Sequence, residues 1–279
     1  MKFVTPESLF PAEDKLPMTS TPRIASLVPS VTELVVALGL QACLVARTGF
    51  CIHPADAVAG IPKIGGTKDV NLAKLQRLAP THVIVNIDEN RLETVEAMRQ
   101  WPNAPRIIVT HPKRPEDNLT LVAQLVAEFA DCQDVRNAGA ALTTDLQREL
   151  ELTRAADYPA QKVLYLIWRD PWMTVARDTY VSELLALVNW QTLPATCGGD
   201  SGAARYPVVH GSEPWTANVQ QVLLSSEPYS FVEQHFAAAQ QLCPNAQVRL
   251  VDGEMLSWYG SRAVAGLGYL RNIAGELPQ

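Results

Sequence analysis

Residues 23–39 read RIASLVPSVTELVVALG, and this stretch decides the fold class. Its first part, Ile24–Val28, is a short apolar run ended by Pro29, which predicts a buried strand. The spacing Ser30-Val-Thr-Glu33 is that of a capping box at a helix N-terminus, and Gly39 stands where helices commonly end. The stretch therefore predicts a buried strand followed directly by a helix.

The same alternation continues along the chain. Short apolar runs predict further strands at 44–47, 82–87, 106–110, 162–168, 222–225 and 248–251. Helical segments are predicted between most of these runs, and this order is typical of a parallel sheet covered on both faces. The stretch 131–156 lacks Pro and is rich in Ala, Leu, Gln, Glu and Arg, which favours one long helix.

The expected fold is α/β, with two Rossmann-like lobes joined by a single long helix and a ligand cleft between the lobes. A chain of 279 residues suits two domains of ordinary size. The predicted parts are an irregular N-terminal arm at 1–22, an N-terminal lobe at 23–130, a linker helix at 131–158 and a C-terminal lobe at 159–279. Residues 191–218 form a long predicted loop whose role the sequence does not indicate.

Composition excludes several classes of function. The net charge is -6, and an acidic chain without a basic stretch is a poor candidate for nucleic-acid binding. No apolar run approaches the roughly 18–20 residues of a membrane helix. The five cysteines form no CxxC motif, which disfavours a zinc site or a disulfide framework. No signal peptide is recognisable, so we expect a cytoplasmic protein, or a periplasmic one if a leader has been removed.

Polar and aromatic side chains follow the predicted strands of both halves. In open α/β sheets, ligands bind outside the carboxyl ends of the strands. Aromatic rings supply contact area for a large ligand, while Arg and Glu bind its polar edges. The predicted ligand-binding residues are His53, Glu89, Asn90, Arg91, Trp168, Arg169, Trp172, Glu227, Tyr229, Trp258, Tyr259 and Arg262.

Metal binding and catalysis are weaker possibilities. His53 and His111 could reach a cleft and ligate a metal ion, although no HxxxH or HxH spacing is present. The sequence contains no GxSxG, P-loop or HExxH motif, and no catalytic residue is predicted.

The chain resembles the substrate-binding proteins for vitamin B12 and ferric siderophores. The resemblance rests on residues 23–33 with the Ala-Leu-Gly turn that follows, on Ile64-Gly65-Gly66, and on the stretch from Asn71 to Val85. It implies two lobes joined by one long helix, small hinge motion, and a corrinoid or ferric-siderophore ligand. That ligand, a cobalamin or an iron chelate, would be cargo, and no cofactor is required.

The resemblance also implies delivery of the ligand to an ABC permease. Family members typically carry one exposed Glu on each lobe to engage the permease. In this chain Ala73 occupies the first-lobe position, and the second falls on Ser212 or Glu213. A permease partner is therefore doubtful, whereas ligand binding is expected.

Two other functions fit the same residues. A divalent metal receptor would need His53 and His111 to converge on one ion with a carboxylate. An enzyme acting on a tetrapyrrole or metal chelate could use His53, His111, Glu89 and Glu227 around the substrate.

Overall fold

The computed structural model describes residues 21–276. The predicted arm at 1–22 lies outside the described residues except for its last two positions. The strands are β1 (Ile24–Ser26), β2 (Leu44–Arg47), β3 (His82–Asn86), β4 (Arg106–Thr110), β5 (Gln161–Leu166), β6 (Trp190–Thr192), β7 (Gln221–Ser225) and β8 (Gln247–Val251). The helices are α1 (Pro29–Ala37), α2 (Ala55–Val58), α3 (Leu72–Arg77), α4 (Leu92–Arg99), α5 (Asp117–Glu128), α6 (Gln133–Ala155), α7 (Tyr180–Ala186), α8 (Phe236–Leu242), α9 (Gly253–Ser257) and α10 (Arg262–Gly275).

The strands form two four-stranded sheets with the same topology. The first sheet has the order β2-β1-β3-β4 and the second β6-β5-β7-β8. Every neighbouring pair is parallel. All four carboxyl ends within a sheet therefore lie at one edge, and the α/β class with two lobes is confirmed. We call the lobe that contains β1–β4 lobe 1 and the lobe that contains β5–β8 lobe 2.

Helix α6 stands between the two sheets in the chain. It has 23 residues, which at 1.5 Å per residue gives a rod of about 35 Å. It packs against α5 of lobe 1 and α10 of lobe 2. A single regular helix of this length resists bending, so it connects the lobes without a flexible linker. The predicted long helix is thus present, with ends a few residues inside the predicted bounds.

One buried apolar cluster includes residues of both lobes. Leu34 of α1, Leu125 of α5, Leu146 of α6, Tyr165 of β5 and Leu267 of α10 all belong to it. A second cluster covers the other face of the lobe 1 sheet, and a third covers the other face of the lobe 2 sheet. Both sheets are therefore covered on both faces, and the lobes share a core on the side where α6 and α10 lie.

The start of α1 differs from the prediction. The helix begins at Pro29, and Val28 is the N-cap residue without a side-chain hydrogen bond. Pro suits this position because the first helical N–H has no partner in the helix. The capping box at Ser30 and Glu33 is therefore wrong, and the Glu33 carboxylate is available for another partner. Gly39 follows the helix with φ of 80°, as its predicted place at the helix end requires.

Short elements account for most of the other differences. Strand β6 lies at the start of the stretch predicted as a long loop, and it is only three residues long. Helix α8 starts at Phe236, directly after a short 3-10 helix at Glu233–His235. Within residues 21–276, no helix is long and apolar enough to cross a membrane.

Candidate functional site

The carboxyl edges of the two sheets face each other. The loops after β2 and β3 carry His53 and Glu89 of lobe 1. The segment after β8, which includes α9, carries Glu254 and Tyr259 of lobe 2. These side chains touch across the gap, with His53 Nε2 3.2 Å from Glu254 Oε1 and the Tyr259 hydroxyl 2.8 Å from Glu89 Oε1. The cleft expected between the lobes therefore lies at the strand ends.

Several polar pairs join the lobes among the described residues, and we call six of them the inter-lobe network. Each pair has one member in lobe 1 and the other in lobe 2, so the contacts hold the facing edges together. The pairs are Glu33–Arg262, His53–Glu254, Glu89–Tyr259, Asp88–Arg205, Lys113–Asp200 and Asn118–Gly260.

Arg262 is the most connected member of this network. Its Nε donates to Glu33 Oε2 at 2.8 Å and its Nη2 donates to Glu33 Oε1 at 3.2 Å. Its Nη1 donates to Glu254 Oε2 at 2.9 Å, and the guanidinium lies 4.6 Å from the ring centroid of Trp258. A planar guanidinium can bind two carboxylates and stack on an aromatic ring at once. Arg262 thereby joins α1 of lobe 1 to α9 of lobe 2.

Glu89 lies at the centre of the cleft and is held from lobe 2. The Tyr259 hydroxyl donates to its Oε1. Burial, with the nearby charge of Glu227, raises the pKa of Glu89 to about 7 against the opposing effect of the Tyr259 hydrogen bond. Burial, with the adjacent Glu89, also raises the pKa of Tyr259 well above its usual range. Near neutral pH, the Glu89 carboxyl is poised between its protonated and ionised forms.

Glu227 is the corresponding carboxyl of lobe 2. Its Oε1 accepts hydrogen bonds from Ser257 Oγ and Trp258 Nε1, both at 2.7 Å. Burial raises its pKa, and these two hydrogen bonds oppose the shift. The start of α9 packs tightly on this loop, because a Cβ atom at Gly253 would lie 2.3 Å from Ser225 Oγ and 2.8 Å from Glu227 Cγ. Only glycine allows that approach.

The long segment after β6 crosses to lobe 1. Arg205 is 1% exposed, and its Nε lies 3.1 Å from Asp88 Oδ1, while Asp200 accepts from Lys113 Nζ at 2.6 Å. His111 Nε2 lies 3.4 Å from Asp88 Oδ2. Burial acts to raise the pKa of Asp88, but His111 and Arg205 outweigh it and hold the pKa below its usual value. This segment, whose role the sequence left open, therefore bridges the lobes.

Exposed apolar side chains lie on loops that leave the same strand edges as the polar network. They lie on the loops that follow β2, β3, β5 and β7, on both sides of the cleft. Isolated exposed apolar residues are common, but a group of them around one cleft marks a binding surface. The group consists of Phe50 (62% exposed), Ile52 (48%), Ile87 (45%), Trp168 (41%) and Val232 (44%).

Trp168 stands at the exposed end of an aromatic cluster in lobe 2. Its ring meets Tyr229 edge-on at 5.6 Å between centroids, and Tyr229 lies 4.7 Å from Phe231. Trp172 stacks on Phe231 at 5.9 Å and is packed against the core of the lobe. Arg169 covers the Trp172 ring at 5.5 Å. Of these predicted residues, Trp168 presents the most surface, whereas Trp172 and Tyr229 mainly support it.

Two predicted ligand-binding residues have partners within lobe 1. Asn90 is buried, and its Nδ2 donates to the carbonyls of Leu27 and Thr67 while its Oδ1 accepts from Asn86 N. Its amide is fully used in holding loops together. Arg91 pairs with Asp69 at 3.1 Å on the surface of lobe 1, where both line a groove of about 750 Å³.

The predicted metal site at His53 and His111 does not assemble. His53 pairs with Glu254 and meets the Trp258 ring edge-on at 5.5 Å. His111 instead lies beside Asp88, which also contacts Arg205. Throughout the described range 21–276, no group of three or more His, Cys, Asp or Glu side chains could hold a metal ion.

Several cleft residues were not predicted from the sequence. Glu254 and Ser257 were visible next to predicted residues, but nothing distinguished them from surface side chains. Glu33 was assigned to a helix cap, and Arg205 lay in a loop without any recognisable pattern. The exposed Phe50, Ile52 and Ile87 followed predicted strand ends, and their position was the available signal.

The comparisons with known proteins agree with this fold. The family model described as periplasmic binding protein matches residues 24–241, so the chain belongs to that family. The vitamin B12-binding protein of Vibrio cholerae is 23% identical over 239 residues, which cover 85% of this chain and 77% of that protein.

Two solved structures show the same fold. One is the periplasmic vitamin B12 binding protein BtuF of Vibrio cholerae, with a TM-score of 0.72 and 21% identity, covering 92% of this chain and 98% of that one. The other is the periplasmic heme binding protein HutB of Vibrio cholerae, with a TM-score of 0.73, 20% identity and the same coverage.

Proposed function

We propose that this protein is a solute-binding protein that captures a corrinoid or a ferric siderophore between its two lobes. The observation that carries the proposal is the ring of exposed apolar side chains around polar groups at the facing strand edges. A large chelate has apolar faces and a polar periphery, and this surface offers contacts for both. The relatives are named as vitamin B12-binding and heme-binding proteins, and these names support a ligand of this size and kind.

Binding rather than catalysis is the proposed activity. The carboxyls and histidines of the cleft are tied to one another across the lobes, and their partners on the protein account for their arrangement. Rigid α6 and the shared core restrict the lobes to a small rotation, which is sufficient to admit and enclose a ligand. Entry of a chelate would separate some of the pairs in the inter-lobe network.

Calorimetric titration of ligand-stripped protein with hydroxocobalamin, then with a panel of ferric siderophores, tests the proposal. Micromolar or tighter binding of one of them is the expected result, since receptors of this kind must hold a scarce ligand. The absence of heat with every chelate, for protein shown by circular dichroism to be folded, would contradict it.

We further propose that the chain acts without the paired-glutamate docking of an ABC permease. Ala73 is exposed at the first position, and Glu213 accepts a hydrogen bond from His210 N at 2.8 Å instead of projecting freely. Co-purification in a stable complex with a vitamin B12-type permease would contradict this proposal. The cytoplasmic location expected from the sequence stays a prediction, and cell fractionation tests it.

A further inference from the structure

The two cleft carboxyls, Glu89 and Glu227, each have one oxygen occupied and one oxygen available. Glu89 Oε1 accepts from Tyr259, and Glu227 Oε1 accepts from Ser257 and Trp258. Neither Oε2 atom has a hydrogen-bond partner within residues 21–276. The protein donors fix the orientation of each carboxyl, so the second oxygens are preorganised acceptors on opposite sides of the cleft.

The carboxyls lie close enough to affect each other. Burial raises the pKa of both groups, and the charge of Glu227 raises that of Glu89 further. Two carboxylates in one partly desolvated site repel, and a positive charge or a hydrogen-bond donor brought near them relieves the repulsion. A negatively charged group in the same place would add to it.

The cations of the inter-lobe network are already neutralised. Arg262 binds the carboxylates of Glu33 and Glu254, and Arg205 lies against Asp88. A guanidinium that is held by carboxylates gains little from a further anion, since the new partner must displace an existing one.

Two other cations are Lys68, between α2 and α3, and Arg169, in the loop after β5. Lys68 is exposed, and its Nζ donates to the Asp88 carbonyl at 2.6 Å. Arg169 stacks on Trp172, with its Nε 3.9 Å from Asp170 Oδ2. Lys68 donates to the Asp88 carbonyl, whereas Arg169 Nε has no hydrogen-bond partner among the described residues. Of these two cations, only Arg169 is therefore left to attract an anionic ligand against the repulsion of the two carboxyls.

We propose that the cleft selects a neutral or cationic chelate whose periphery carries amide or ammonium N–H groups, and that it discriminates against chelates that carry carboxylates. This inference rests on the proposed function: the apolar ring and the facing strand edges define the site, and the charges determine which chelate enters. The second oxygens of Glu89 and Glu227 would each accept an N–H from the ligand periphery. Complementary charge chiefly determines specificity at such sites.

Three probes in one buffer at neutral pH test the inference. Hydroxocobalamin has a periphery of carboxamides, ferrioxamine B carries a free ammonium, and hemin carries two propionates. Titration calorimetry should give a dissociation constant for hydroxocobalamin or ferrioxamine B that is lower than that for hemin by about tenfold or more. Hemin as the tightest ligand of the wild-type protein would overturn the inference and leave the proposed function standing. Failure of all three probes and of the siderophore panel would instead refute the proposed function.

Charge-neutral variants test whether these two carboxyls are responsible. The double variant E89Q/E227Q keeps the shape of both side chains. Its affinity for the preferred chelate should fall by about tenfold or more, while its affinity for hemin should rise. The control is E151Q on the exposed surface of α6, which removes one negative charge outside the inter-lobe network and should change neither affinity. A folded double variant that keeps the wild-type ranking of the three probes would contradict the inference. If the double variant does not fold, the single variant E227Q and the ranking of the probes on wild-type protein decide the question.

Discussion

Replacing Glu89 with Gln should stabilise the ligand-free protein at alkaline pH and have a smaller effect at acidic pH. The Glu89 carboxyl is partly buried beside Glu227, and its pKa is raised from the usual 4.5 to about 7. Gln keeps an oxygen that can accept from the Tyr259 hydroxyl, and it carries no charge to desolvate. The substitution therefore mimics the protonated form of Glu89 at every pH.

The sign and size of the effect follow from proton linkage. Between pH 4.5 and 7 the folded state binds more protons than the unfolded state, so ionisation of Glu89 lowers the free energy of unfolding as pH rises. The penalty is absent well below pH 4.5 and complete above pH 7. With about 1.4 kcal/mol for each pKa unit, it amounts to about 1 kcal/mol at pH 5 and up to about 3 kcal/mol at pH 8.

Urea denaturation of wild type, E89Q and E151Q, followed by tryptophan fluorescence, measures this quantity. The difference in unfolding free energy between E89Q and wild type should grow by about 2 kcal/mol from pH 5 to pH 8. E151Q should track the wild type, since Glu151 is exposed on α6. A constant difference across this pH range would refute the reasoning, because it would mean that Glu89 titrates in the folded protein as it does in the unfolded chain.

Three further variants probe the cleft. R262A leaves Glu33 without its partner and Glu254 with only His53, and it should lower the unfolding free energy by about 3 kcal/mol in the same assay. The control R148A removes ion pairs with Asp145 and Glu149 on α6 and should cost under about 1 kcal/mol. Equal losses would contradict the role of the inter-lobe network. In G253A, the added Cβ atom would lie 2.3 Å from Ser225 Oγ. The variant should be destabilised by about 1–3 kcal/mol and should bind the chelate more weakly in calorimetry. Wild-type affinity would show that binding does not need the close approach of α9. W168A should weaken chelate binding about tenfold with little change in stability, because the ring is 41% exposed. The control L152A removes an exposed apolar side chain from α6 (49% exposed) and should leave affinity unchanged.

Much of the fold could be predicted because local patterns specify it. The apolar runs at Ile24–Ser26, His82–Asn86 and Arg106–Thr110 are strands with nearly the predicted bounds. Their signal lies in consecutive buried residues and in the turn residues that end them. Short elements such as the three-residue β6 could not be predicted, because so few residues show no clear apolar run. The domain boundaries and the ligand contacts of the predicted residues stay predictions.

The sequence by itself determined the α/β alternation, the long helix and the strand ends near which polar and aromatic residues gather, because each depends on neighbours within a few residues. The tertiary structure alone decided which of those residues work together. Glu33 and Arg262 are 229 positions apart, and Glu89 and Tyr259 are 170 apart. No local pattern links such pairs, since their contact depends on how two separately formed sheets are set against each other by α6 and the shared core. For the same reason Asn90 holds loops of lobe 1 together and Arg205 bridges the lobes.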